Sequence, residues 1–182
     1  YEKLDENFAE ISVGEHGYYR FVTGNSFEVA LGDLLFAAEG QLNNGPWDLD
    51  DDLKKYNSII KYTRDHGFMT SELMTTAYYS KWNATDQIPR RAVTAGLIDE
   101  LGYLDDDLGG ETTRFSLSGK VETENFKSQL YGQYYDFNLF YYFTSFLDDP
   151  LNGDEFEQFD TSSILGGDVS YKNELDLSEI DL

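Results

Sequence analysis

The chain contains no cysteine, so neither a disulfide scaffold nor a thiolate zinc site is open to it. Basic residues are scarce: 13 Lys and Arg stand against 35 Asp and Glu, for a net charge of −22. A chain this acidic repels the phosphates of nucleic acid, and it lacks the polybasic segment that holds a protein to an anionic membrane surface. No apolar run approaches the roughly 18 residues that a transmembrane helix needs. Catalytic signatures are missing too. There is no GxSxG elbow and no glycine-rich phosphate loop, and the 2 histidines, His16 and His66, form no pair at zinc-ligand spacing. No catalytic residue, metal or cofactor is therefore expected; an enzyme would need a converging Ser, His and acidic set that cannot be located.

What the chain does have is alternation. Residues 111–135, ETTRFSLSGKVETENFKSQLYGQYY, read as two strands joined by a tight polar turn at 123–125. In the first of them Phe115, Leu117, Gly119 and Val121 share one face, and Arg114, Ser116, Ser118, Lys120 and Glu122 the other. Six to eight such strands are expected along the chain, near 17–29, 33–42, 54–64, 72–82, 111–122, 126–143 and 161–173. Leu34, Phe36, Ala38 and Leu42 fall opposite Leu35, Ala37, Glu39 and Gln41; Tyr56, Ser58, Ile60 and Tyr62 fall opposite Asn57, Ile59, Lys61 and Thr63. Leu165, Gly167, Val169 and Tyr171 line up on one side. In 126–143 the apolar phase of Leu130, Gly132 and Tyr134 shifts into Phe137, Leu139 and Tyr141, which predicts a bulge or bend.

The connections alternate in length. Short turns are expected at 30–32, 65–67 and 123–125, and long acidic loops at 43–52, 83–110 and 147–160. The second long loop is too long for a routine connection and contains PRRAVTAGLIDELG, a candidate short helix. Short turns at one end, long loops at the other and one wet face of every strand are the pattern of an outer-membrane barrel. Aromatic residues at 16 %, with 14 Tyr and 13 Phe, suit the interfacial girdles of such a barrel. Alternation by itself fits an apolar face packed on a soluble core equally well.

Several segments in order, EGQLNNGPWDLDDDLKKYNSIIKYT, AYYSKWNATDQIPRRAVTAGLID, GGETTRFSLSG and YYDFNLFYYFTSFLDDPLNGDEFEQFD, resemble strands and loops of TonB-dependent outer-membrane receptors. The likeness spans about residues 17–172, and no single short motif carries it. The resemblance implies an all-β, antiparallel up-and-down meander that forms part of a large transmembrane β-barrel in the cell outer membrane of a Gram-negative bacterium. It also implies uptake of a scarce nutrient such as a ferric siderophore, driven by the partner TonB acting through a plug domain. The 182 residues are expected to be an internal fragment of that barrel, strand-rich over 17–173, with no signal peptide and no plug before the strands. Glu39, Gln41, Asn57, Lys61, Arg114, Lys120, Gln129 and Gln133 would then face the lumen, and Leu34, Phe36, Ile60, Phe115, Leu117 and Leu130 the lipid.

Ligand-binding candidates sit on the long loops: Trp47, Trp82, Arg90 and Arg91. A pair of cations suits the carboxylates of an anionic chelate, and an aromatic ring covers its apolar part. The alternative is that the tryptophans pack the loops and the arginines pair with neighbouring Asp. Acidic clusters at Asp48 with Asp50 to Asp52, at Asp105 to Asp107, and at Asp148, Asp149, Asn152, Asp154 and Glu155 offer oxygen ligands for calcium. None has the EF-hand spacing, which favours solvated loop charge. The competing functions are a passive outer-membrane porin and a soluble acidic β-sheet protein that binds glycans on its aromatic surface.

Overall fold

The computed structural model describes residues 3–29, 31–141, 147 and 154–173. They form one antiparallel sheet of eight strands in sequence order. The strands are β1 (Phe8–Val13), β2 (Tyr19–Val29), β3 (Gly32–Asn43), β4 (Leu53–Asp65), β5 (Thr70–Asn83), β6 (Gly109–Glu122), β7 (Phe126–Tyr141) and β8 (Phe156–Tyr171). The fold is thus an all-β meander. Its helical content among the described residues is α1 (Arg90–Thr94), inside the segment expected to hold a short helix. No pairing joins β1 to β8, so among the described residues the sheet has two free edges.

Two strand limits differ from those expected. β1 lies before residue 17, where Ala9, Ile11 and Val13 alternate with Phe8, Glu10 and Ser12; six residues give the period too few repeats to stand out. β8 starts at Phe156 instead of 161, because Glu157 to Asp160 pair with Phe140 to Phe137 although their composition reads as loop. Residues 142 and 143, expected to end the seventh strand, lie outside the described residues.

Directly opposed residues of an antiparallel pair share a face, so the register sorts every strand residue. Leu117 opposes Thr75 and Gly132. Thr75 opposes Ile60, Ile60 opposes Phe36, and Gly132 opposes Leu165. That row belongs to an apolar face running through all eight strands. Arg114, Tyr78, Asn57, Glu39, Val22 and Glu10 form a row of the opposite, polar face.

The expected bulge in β7 is absent. Every residue from Phe126 to Tyr141 has one partner in β8, and Lys127 to Phe140 each have one in β6. The change of phase is real in polarity only. Near the long loops the polar face turns apolar, with Trp82, Phe137, Leu139 and Tyr141. In the same rows the apolar face turns charged, with Lys54, Lys81 and Glu111. Strand geometry is preserved while the two environments exchange sides.

No second layer covers the apolar face among the described residues. Leu35 and Leu108 are the only buried hydrophobic residues among those described, whereas Leu165 is 87 % exposed, Ile11 75 % and Leu130 67 %. The sheet is therefore held by its hydrogen-bond ladders and cross-strand side-chain pairs.

Short connections at one end (30–31, 66–69 and 123–125) have local explanations. Gly67 adopts φ 84°, and its N–H donates to the Asp65 carboxylate at 2.7 Å. The Thr123 N–H donates to the Phe126 carbonyl at 2.7 Å, and the Phe126 N–H returns a bond to the Thr123 hydroxyl at 3.0 Å. At the other end run 14–18, 44–52, 84–108 and 142–155, with Gly109 at φ 150° as the last of these but one enters β6. A Cβ on Gly109 would collide with the Trp82 carbonyl oxygen, whereas one on Gly67 would meet nothing within 4 Å. Gly109→Ala should therefore destabilise the fold by about 1–3 kcal/mol, clearly more than Gly67→Ala. Denaturant midpoints of the two variants measure the difference.

Candidate functional site

Two regions gather chemistry: the polar face of the sheet and the long-loop end. On the polar face, Arg20 donates through Nε to Glu39 Oε1 at 2.7 Å, and Lys55 Nζ lies 3.3 Å from Glu39 Oε2. Register explains the trio. Arg20 and Lys55 both oppose Gln41, so each is a diagonal neighbour of Glu39, within reach of a long side chain. Glu10 adds a looser contact to Arg20 at 3.9 Å. Glu39 is the most enclosed member, with 16 % of its side chain exposed.

Nearer the short turns lies a second charged belt. Lys61 pairs with Glu72 at 3.4 Å, Lys120 with Glu122, and Lys3 with Glu28 at 2.9 Å. Between the belts runs a nearly neutral row of Phe8, Ala37, Ile59, Thr76, Ser116, Gln133 and Ile164. In it the hydroxyls of Thr76 and Ser116 are 2.6 Å apart.

A hollow of about 410 Å³ lies over the upper belt and the neutral row, touching side chains from Phe8 of β1 to Arg114 of β6. A cavity that reaches across six strands requires the sheet to curve toward its polar side. Arg114 ends it, with its guanidinium carbon 5.6 Å from the centre of the Tyr78 ring, a cation–π distance.

The residues expected to face one way do share a face. Glu39, Gln41, Asn57, Lys61, Arg114, Lys120, Gln129 and Gln133 all lie on the polar side, and Leu34, Phe36, Ile60, Phe115, Leu117 and Leu130 on the apolar side. The four loop candidates are not brought together. Trp82 lies on the polar face of β5 with its indole against Gly110, and Trp47 projects from 44–52, 40 % exposed. Arg90 and Arg91 are exposed in α1. Among the described residues, neither arginine makes an ion pair. Sequence reasoning passed over Tyr78 beside Arg114, because alternation assigns each to a face but does not set the register across 84–108 that makes them opposed.

Loops 44–52 and 84–108 are tied together. The Asp48 N–H donates to the Leu101 carbonyl at 3.0 Å, the Asn83 N–H to the Asp51 carbonyl at 2.7 Å, and the Ala84 N–H to the Leu108 carbonyl at 2.9 Å. Leu108, 3 % exposed, is the apolar anchor of this junction. One oxygen from each of Asp105, Asp106 and Asp107 lies within 4.8 Å of the others, and the Asp107 N–H donates to the Asp105 carboxylate at 2.8 Å. Asp154, 8 % exposed, accepts from the Leu147 N–H at 2.8 Å. Asp148, Asp149 and Asn152 lie outside the described residues. His66 Nε2 is 3.0 Å from the Ser71 hydroxyl, and His16 occupies the 14–18 turn at φ 55°.

No protein-family model matches the chain, and neither a curated protein nor a solved structure is similar to it.

At the loop junction, burial pushes the Asp51 carboxyl above its ordinary range, and the neighbouring charge of Asp50 adds to the rise. A carboxyl with a raised value in the folded state binds more protons there than in the unfolded chain. Stability therefore falls as pH rises from about 4, the unfolded value, through the folded value, and then levels off. Asp51→Asn should raise the unfolding midpoint at neutral pH, and its advantage should shrink as pH is lowered toward 4. Thermal melts of both proteins across that range check the sign.

Proposed function

We propose that the chain is a section of the wall of an outer-membrane β-barrel and, within that class, belongs to a TonB-dependent receptor that takes up a scarce nutrient such as a ferric siderophore. The observation that carries the reading is a charge-free band on the apolar face. On β6 it runs from Thr113 to Val121, about 26 Å along the strand at 3.3 Å per residue. Its nine residues fall within the roughly 9–11 that a tilted transmembrane strand needs.

The limits of the band support the same reading. Charged residues stop it near the loops at Lys54 in β4, Lys81 in β5, Glu111 in β6 and Asp136 in β7, and near the turns at Arg64 in β4. In β2 it already starts at Tyr19, level with Lys54, while in β7 it starts below Asp136, one row further down. In β8 it reaches back up to Phe159, level with Lys54, so the upper limit is uneven from strand to strand. Tyr19, Tyr56 and Tyr79 mark its upper edge, the last two stacked with centroids 6.3 Å apart, and Phe27, Tyr62, Phe126 and Tyr171 its lower edge. Aromatic residues at both limits suit the two membrane interfaces.

Lipid would supply the apolar phase that the protein itself does not. A soluble sandwich would bury such a face against a second sheet. The free edge of β8, 16 residues long, calls for a further strand, which a larger barrel provides. In the intact receptor the polar face would line the lumen, the long loops would meet the ligand outside, and TonB would act through a plug domain.

Leu117→Arg puts a charge in the middle of the band, while Ser116→Arg puts one on the polar face next door. The first should cost about 2–4 kcal/mol in a bilayer and impair insertion; the second should be tolerated. Reconstitution into lipid vesicles with protease protection as the readout compares them, and equal insertion of the two variants would sink the reading.

A further inference from the structure

We infer that the hollow between Arg20 and Arg114 on the polar face binds a small organic monocarboxylate with an apolar body, Arg114 taking the carboxylate. This rests on reading the polar face as the ligand-facing side of the wall. The charges of the hollow are unevenly satisfied. Arg20 is committed to Glu39 at 2.7 Å, and Lys55 to the same carboxylate at 3.3 Å. Arg114 has no carboxylate partner among the described residues, although the chain carries 35 acidic residues against 13 basic ones. Its contact is the Tyr78 ring, and its directly opposed neighbour in β7 is Tyr135.

Aromatic neighbours hold a planar guanidinium while leaving its donor fork open, and that fork matches a carboxylate in bidentate geometry. From the cation toward Glu39 the lining is polar at Thr76 and Asn57 and apolar at Ile59. A volume of about 410 Å³ lies within the range of small-ligand sites. Glu39 at the far end is already spanned by Arg20 and Lys55, so a ligand's carboxylate is left to Arg114 and its apolar body to Ile59, a surface that phosphate, having no apolar body, cannot use.

Equilibrium dialysis of phenylacetate against the full chain in lipid nanodiscs tests the site, with neutral phenylacetamide as control for partition into lipid. Phenylacetate should bind and phenylacetamide should not, and inorganic phosphate should fail to compete. Arg114→Gln should weaken phenylacetate binding about tenfold or more, Arg114→Lys should keep part of it, and Arg90→Gln should leave it unchanged. Equal binding of acid and amide, undiminished binding by Arg114→Gln, or no binding at about 10 mM overturns the site. Insertion is scored in parallel by protease protection. An inserted chain that does not bind overturns this site alone. A chain that does not insert overturns the wall reading, and the same titration of the folded chain in detergent then decides the site.

Discussion

Everything in this molecule depends on an unbroken antiparallel register. With one partner per residue from β2 through β7, no inserted residue ever flips the side-chain order. A slip of one residue in any strand would carry its apolar set to the polar side. Because the sheet has no core to absorb an error, the register itself separates the two environments. The cross-strand pairs then act as its specification. Tyr56 on Tyr79, Thr76 with Ser116 and Lys61 with Glu72 each reward one alignment and no neighbouring one.

Ion pairs on the polar face are better understood as part of that specification than as a source of stability. Exposed pairs contribute little on their own. Glu39 differs because two cations reach it from strands on either side, so its position fixes β2, β3 and β4 relative to one another. Among the described residues Arg114 meets no acid and is held by an aromatic ring instead. The polar face therefore combines an ion-paired cluster at Arg20, Glu39 and Lys55 with a cation, Arg114, that is held by an aromatic ring.

Much of the fold was legible in the residues. Strict alternation around Phe36, Ile60 and Leu117 placed the strands and both faces, and the Asp65–Gly67 and Thr123–Asn125 turns marked where they reverse. The failures have a common physical origin. Sequence periodicity assumes that each face keeps one polarity along the whole strand. Near the loops Phe137 and Leu139 are apolar on the polar face, and Asp136 and Asn138 are polar on the other, so a straight strand reads as a bulged one. Glu157, charged on the apolar face, made the start of β8 read as loop for the same reason, whereas Asp160 keeps to the polar face. The site was less legible than the fold. Polar-face membership followed from alternation, but the meeting of Tyr78 with Arg114 depends on pairing β5 with β6 across 84–108, and the placement of Trp47, Arg90 and Arg91 depends on loop paths that no periodic signal encodes.

The exchange of polarity at the loop end also links the sheet to its surroundings. On the apolar face at this end Lys54, Lys81 and Glu111 have half-exposed side chains, so their charges are solvated and cost little. On the polar face at the same end lie Trp82, Phe137 and Leu139, and the loops that follow are tied by the Asp48–Leu101 and Ala84–Leu108 backbone bonds. Gly109 and Gly110 are the points where this arrangement leaves no room for a side chain, since the Trp82 carbonyl and indole occupy the space a Cβ would need. One strand end thus exchanges the polarity of its two faces while its register continues unbroken, and that exchange is what obscures the strand in the sequence.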